Sequence, residues 1–254
     1  MTAPTTQWAR QADLTDRTVL VVGGSGGVGE GVVRKLVADG ARVVATGRHQ
    51  SRLQGLAERI HSPRLSTERL DALDPELDEQ VVALAREVGP FDGVVVSVAS
   101  TVPQQPDGLL SLSDAEWDAQ RLVPDLTSIF RLYRALVPQL RGSGALIQLN
   151  GFSADLPIPG NGGNSIAAAA AKSLTRTVAA ELASSGPRVY GVVMGMVRTR
   201  ARQLAGIDDP RWLDGTDIGA HVAELIAGTS RLNDLDLHYF IDKALGPQPT
   251  PPAQ

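Results

Sequence analysis

The chain contains no cysteine, and that single absence removes several chemistries. No disulfide, no thiolate nucleophile and no cysteine-ligated metal is open to it. Tyrosine and lysine are nearly as scarce, with Tyr133, Tyr190 and Tyr239 against Lys35, Lys172 and Lys243. The four histidines, His49, His61, His221 and His238, show no i, i+3 or i, i+4 spacing that would place two metal ligands on one helix face, so no metal site is expected. No apolar run reaches the roughly 18–20 residues that a membrane-spanning helix needs. Residues 1–12 are polar and lack the apolar core of a secretory signal. The net charge is −4 and the basic residues are scattered, which leaves no footprint for nucleic acid. These absences predict a soluble, cytoplasmic protein whose partner is a small molecule.

What is present is a regular alternation. Apolar, β-branched runs at 18–22, 41–46, 93–98, 145–150, 189–194 and 238–241 read as strands, with a weaker strand ending at Asp71. Between them, 30–38, 50–60, 75–88, 165–184 and 217–227 have helical periodicity, as does 117–140 with a break near Pro124. Near-continuous apolar strands separated by helices predict a doubly wound parallel sheet of about seven strands, a single-domain α/β Rossmann fold. The domain is expected over 13–246, after a flexible N-terminus at 1–12 and before a disordered proline-rich tail at 247–254. Ligands of such sheets sit at the carboxyl ends of the strands. That selects 23–29, 47–48, Asp71, 97–101, 150–153 and 194–199.

The first of these is a glycine turn, Gly23-Gly24-Ser25-Gly26-Gly27-Val28-Gly29, between a strand and a helix. A side chain there would block the tight turn and keep a pyrophosphate from the backbone amides, while the following helix turns its positive end to the same spot. After the second strand an NAD site usually carries a carboxylate for the ribose hydroxyls. Here the chain reads Thr46-Gly47-Arg48. A guanidinium suits a 2′-phosphate in charge and geometry. Arg48, with Ser25 as a second donor, is therefore expected to select NADP(H).

Together these residues resemble the short-chain dehydrogenase/reductase family, over nearly the whole chain. Val22 to Gly29 is similar to the family's Thr-Gly-x-x-x-Gly-x-Gly turn, with Val22 in place of Thr. The resemblance implies cofactor contacts by Gly23, Ser25, Gly27, Val28, Gly29, Arg48, Asp71 at the adenine and Ala99 at the fourth strand. Residues 187–199 are similar to the family's late Pro-Gly-x-Val-x-Thr segment, which adds Gly195, Val197 and Thr199, the last at the nicotinamide carboxamide. Tyr190 and Met194 depart from that segment, and Ile241-Asp242-Lys243 departs from the family's usual Asp-Gly-Gly ending.

The catalytic positions do not carry over. The family's Ser falls on Gly151, its Tyr on Asn164 and its Lys on Ala168, and no tyrosine lies on the 165–184 helix in any register. Lys172 stands one turn too far along and reads as a solvated or interface residue. The family's Asn corresponds to Asp125 only after a one-residue insertion. Carbonyl reduction needs a proton for the developing alkoxide, and a positioned acid contributes roughly 10²–10⁴-fold. Gly151, Asn164 and Ala168 supply neither proton nor cation. Three readings follow: hydride transfer to an imine, iminium or conjugated alkene, with Asp125 as stabilising carboxylate and Asn150, Ser153 and Asn164 as polar orienters; a non-redox isomerase, dehydratase or cyclase; and a non-catalytic NADP(H)-binding partner. Asp125 is equally a helix N-cap after Pro124. Trp212, Leu204 and Ile207 are read as an apolar lid or a surface loop. The run Ala167 to Ala171 permits close helix approach, and by the resemblance implies a homodimer or homotetramer.

Overall fold

A computed structural model describes residues 8–9, 11–98, 107–117, 126–184 and 186–252. The strands are β1 (Thr18–Val22), β2 (Arg42–Gly47), β3 (Leu65–Arg69), β4 (Phe91–Val96), β5 (Leu140–Gly151), β6 (Arg188–Met194), β7 (Val197–Arg198), β8 (Leu213–Asp214) and β9 (Leu237–Phe240). The helices are α1 (Gly27–Ala38), α2 (Gln50–Ile60), α3 (Leu77–Val88), α4 (Asp114–Trp117), α5 (Ser128–Leu136), α6 (Gly162–Leu182), α7 (Arg200–Leu204) and α8 (Gly215–Ala227). Among the described residues no helix is long and apolar enough to cross a membrane.

Seven strands form one parallel sheet in the order β3-β2-β1-β4-β5-β6-β9. This is the predicted doubly wound fold. Strand side chains alternate between faces. Val19 and Val21 join a core with Val32, Leu36, Val222 and Phe240, on the face covered by α1 and α8. Leu20 and Val22 join the opposite core with Val81, Leu132 and Ala171, on the face covered by α3, α5 and α6. Burial on both faces explains why the central strands read as unbroken apolar runs. The strand order reverses between β1 and β4, so a crevice opens at the carboxyl ends of those two strands.

Four expectations change. Helix α6 begins at Gly162 rather than at 165, which places Asn164 in its first turn. Strand β5 starts at Leu140, before the predicted 145, because its register with β4 shifts between Phe91 and Gly93. The N-terminal segment is not wholly loose: Trp8 packs edge-on to Phe240 at 4.9 Å, donates its indole N–H to the Lys243 carbonyl, and Ala12 is buried. Nor is 247–254 a free tail throughout. Gln248 pairs antiparallel with Tyr239 through two 2.8 Å backbone bonds, because β9 is an edge strand with unpaired amides to offer.

Candidate active site

The glycine turn is built by close backbone approach. Gly23 has φ +79°, and a Cβ on it would stand 2.2 Å from the Ser97 carbonyl at the end of β4. A Cβ on Gly29 would stand 2.2 Å from the Gly23 carbonyl. One on Gly27 would meet the Thr199 side chain at 2.7 Å, so the loop after β6 lies directly over the turn. Gly26 caps α1 without a side-chain hydrogen bond, which leaves the first-turn amides of α1, including Gly27, Val28 and Gly29, for an anion. A cradle that any Cβ would fill, at the positive end of a helix, fits the pyrophosphate of a dinucleotide.

At the ribose end, Arg48 is exposed just after β2. The Ser25 hydroxyl lies 3.0 Å from where a Cβ on Gly47 would stand, so Ser25 and Arg48 border the same small space. A third group joins them that the spacing of residues does not foretell. Gly47 pairs with Arg69 across β2 and β3, and Arg69 Nε donates to the Arg48 carbonyl at 3.3 Å. Only the parallel register brings this second guanidinium in. Asp71 accepts the Leu73 amide at 3.0 Å and so shapes the turn beyond β3. Ala99 lies outside the described residues.

The catalytic half is different in kind. Gly151 is exposed, and among the described residues a Cβ there would find only Ser153 Oγ, at 3.6 Å. Asn150 is buried and bonded at both its nitrogen and its oxygen. Its Nδ2 donates to the Ala168 carbonyl at 2.8 Å and its Oδ1 accepts the Gly151 amide at 2.9 Å. It ties the end of β5 to α6 rather than presenting a free amide. Ser153 sits in the 3-10 turn Phe152–Ala154, against which α6 packs. Asn164 donates from Nδ2 to Asn161 Oδ1 at 2.6 Å, and its own Oδ1 is buried without a partner among the described residues. Ala168 offers only its backbone carbonyl. Lys172 is ion-paired with Asp155, so its ammonium is neutralised rather than solvated. Asp125 lies outside the described residues.

The loop over the site is clamped by charge. Thr199 Oγ1 accepts the Arg202 amide and caps α7. Arg198 forks onto Asp208 at 2.8 and 2.7 Å and also reaches Asp214 at 3.3 Å. This pairing holds the Asp208 carboxyl below its usual range and raises the guanidinium. Lys243 binds Asp214 and stands 3.3 Å from Asp217. Of the three residues read as a lid, Leu204 and Ile207 are exposed, and Trp212 lies under the Arg202 guanidinium at 5.6 Å. Gly195 donates its amide to Phe240, which fixes the start of this loop on β9. Ala167 and Ala171 are buried on the molecule's own sheet, so those two small side chains serve internal packing.

Comparison with known proteins agrees with this geometry. An uncharacterized oxidoreductase of Staphylococcus epidermidis is 25% identical over 224 residues, covering 87% of this chain and 96% of its own length. A short-chain dehydrogenase/reductase of Brucella melitensis, titled a glucose/ribitol dehydrogenase, has a similar structure with TM-score 0.75 at 26% identity over 87% of this chain and 94% of that one. An NADPH-bound short chain oxidoreductase of Pseudomonas aeruginosa PAO1, described as containing an atypical catalytic center, gives TM-score 0.76 at 25% identity over 92% and 98%. The family described as enoyl-(acyl carrier protein) reductase matches residues 23–224. With that match on a sheet of this order, the chain belongs to the short-chain dehydrogenase/reductase superfamily, in the family so described.

Proposed function

We propose that the protein is an NADP(H)-dependent reductase of an activated small molecule, an imine or iminium or a conjugated alkene, working without the tyrosine acid of its relatives. The observation that carries this reading is the contrast at the site. The cofactor cradle admits no Cβ at Gly23 or Gly29, while Gly151, Asn164 and Ala168 stand where the acid machinery would be. A bound nicotinamide would supply the hydride. Gly23, Gly27, Val28, Gly29, Gly195, Val197 and Thr199 line its place, with Asp71 and Ala99 toward the adenine.

The remaining polar groups favour a cationic or N–H-bearing substrate over a carbonyl. Asn164 gives one amide N–H to Asn161 and keeps a second, and its Oδ1 has no partner among the described residues, so the tyrosine position holds a neutral amide rather than an acid. An amide stabilises an iminium or an N–H through its oxygen, but it supplies no proton to a developing alkoxide. A cationic iminium that accepts hydride becomes a neutral amine and requires no acid. Ser153 is the nearest hydroxyl to the family's serine position and orients the substrate. Asn150 holds β5 and α6 in register, and Asp125 supplies the carboxylate. Membership in a family described as enoyl-(acyl carrier protein) reductase supports the conjugated-alkene arm, in which hydride addition leaves an enolate that takes its proton from solvent water. Arg48, Ser25 and Arg69 support NADP(H) over NAD(H), because two guanidiniums and a hydroxyl match a 2′-phosphate. Exposed Phe130 on α5 and Ile166 on α6 support a homodimer or homotetramer, which light scattering tests.

Titration with NADPH, NADP⁺ and NADH, followed by a screen of imines, enones and ketones for loss of NADPH absorbance, tests the reading. NADPH is expected to bind more tightly than NADH, and imines or enones to turn over while ketones do not. Failure to bind any nucleotide overturns it. So does ketone reduction as fast as that of imines.

A further inference from the structure

The sequence separates His221 and His238, but α8 and β9 bring their rings together. His221 Nε2 and His238 Nδ1 are 2.8 Å apart, and both residues are buried. The protons on this pair can be assigned from the neighbours. His238 Nε2 faces two carbonyls, Leu232 at 3.0 Å and Leu235 at 3.1 Å, and carbonyls only accept. His238 therefore carries its proton on Nε2, and its Nδ1 is an acceptor. His221 must then donate from Nε2, which leaves His221 Nδ1 as an acceptor as well. That nitrogen is buried and has no hydrogen-bond partner among the described residues. The Glu224 carboxylate, one turn along α8, stands 4.0 Å away, and two acceptors cannot satisfy one another.

Beside this nitrogen is a cavity of about 20 Å³, walled by Trp8, His221, Glu224, Ser230, Arg231, Leu232 and Pro247, with the Arg231 guanidinium donating to the Pro247 carbonyl. A water needs on the order of 10–15 Å³ and two to four polar partners, and it is the smallest group that can donate in two directions. A metal ion does not suit the donor set, since three of the four imidazole nitrogens are already engaged. We infer that this cavity is an internal water site, in which one buried water donates to His221 Nδ1 and to Glu224 and completes a relay that binds β9 to α8.

The relay has a consequence for acid. A further proton on His238 Nδ1 would set two N–H donors face to face and break the 2.8 Å link, and one on His221 Nδ1 would displace the hydrogen that the water donates there. Other charged and titratable groups face the pair from each packed element. Arg231 follows α8 and Asp236 precedes β9. From β6, the Tyr190 ring lies 5.5 Å from His238, with Arg188 behind it bound to Leu225 and Asn233. Arg231 opposes a positive charge on His221, while Glu224 favours it. Burial lowers both imidazoles, His238 to about 4. The strand held by this relay also carries the Phe240 carbonyl that fixes Gly195, so loosening β9 reaches the cofactor loop.

Three measurements on the unmodified protein test the inference. A high-resolution crystal structure at pH 7 is expected to place one water within hydrogen-bond distance of His221 Nδ1 and Glu224. Nitrogen NMR of the histidines is expected to find His221 neutral, protonated at Nε2 and accepting at Nδ1. His49 and His61 are exposed, so the buried pair is distinguished by its protection from solvent. Amide protection at Tyr239 and Phe240 is expected to fall about tenfold more between pH 7 and pH 5 than protection of Val19 to Val21 in β1, since the opened strand binds the protons that the closed one excludes. A dry cavity with Glu224 closed onto Nδ1, a His221 imidazolium at pH 7, or equal loss of protection in β9 and β1 would each overturn it.

Discussion

The two halves of the candidate site are held to different standards. Around β1, α1 and the end of β4 the chain is pressed so closely that a single methyl group has nowhere to go, with 2.2 Å from Gly23 to the Ser97 carbonyl. Around the end of β5 and the start of α6 the same added methyl at Gly151 would meet one hydroxyl at an ordinary 3.6 Å. The first half is constrained in its backbone, so any substitution in it alters the fold and the cradle together. The second is constrained only in its side chains, so its chemistry can change while the scaffold stays. Loss of the acid residues beside an intact cradle is what that difference permits.

The largest expected effect breaks the tight half. Gly23→Ala adds a clash to a positive φ, and is expected to cost roughly 3 kcal/mol or more of stability and to abolish nucleotide binding. Thermal unfolding and NADPH titration measure both. Gly89 supplies the control, because it has φ +88° with nothing within 4 Å of an added Cβ. Gly89→Ala is expected to cost only the strain of its own backbone, φ +88° with ψ 170°, about 1–3 kcal/mol, and to leave binding unchanged. If the two variants lose the same amount, close approach is not what constrains the turn.

The next effect tests whether the open half is merely stripped. The triple variant Gly151→Ser, Asn164→Tyr, Ala168→Lys restores the family's three groups at matching positions. Ketone reduction is expected to rise at least about 10²-fold over the parent, the low end of what a positioned acid contributes. Steady-state kinetics with NADPH and a panel of ketones reads this. No gain would mean that β5 and α6 have drifted from the geometry the acid requires. A smaller effect concerns the cofactor's far end. Arg48→Ala is expected to weaken NADPH about tenfold, the size of one charge-assisted contact, and to leave NADH unchanged. Equal affinity for NADPH in variant and parent would remove Arg48 from the site.

The sheet was legible because burial on both faces writes itself as unbroken apolar runs, and the glycine turn because only glycine tolerates its geometry. The departures were visible for the opposite reason: Gly151, Asn164 and Ala168 lack groups that no neighbour can conceal. What escaped the sequence depends on contacts between distant segments. Arg69 joins Arg48 only through the β2–β3 register, and His221 meets His238 only because β9 lies beside α8. Asn150 read as a free polar group, and nothing in its spacing from Ala168 foretold the bond that occupies it. Trp8 and Gln248 sit in segments whose composition signals disorder, yet each lies against a β9 edge that needed covering.

The smallest predicted effect is the sharpest test of the comparison. Gly151→Ser alone places a hydroxyl where relatives carry their serine. The position is exposed, its φ of −82° suits any residue, and among the described residues the only neighbour of the new Cβ is Ser153 Oγ. Serine also strengthens an extended strand end relative to glycine by restricting the unfolded chain. Stability is therefore expected to change by no more than about 0.5 kcal/mol, the range of a substitution that disturbs no packing. Activity toward imines or enones should fall within about twofold of the parent, since the added hydroxyl stands beside one already present and transition-state stabilisation depends on a donor aimed at developing charge. Denaturant unfolding and the same NADPH assay measure both. A loss of stability comparable to that of Gly23→Ala would show that the catalytic half is as tightly built as the cofactor half, and that its missing side chains reflect lack of room rather than a change of chemistry.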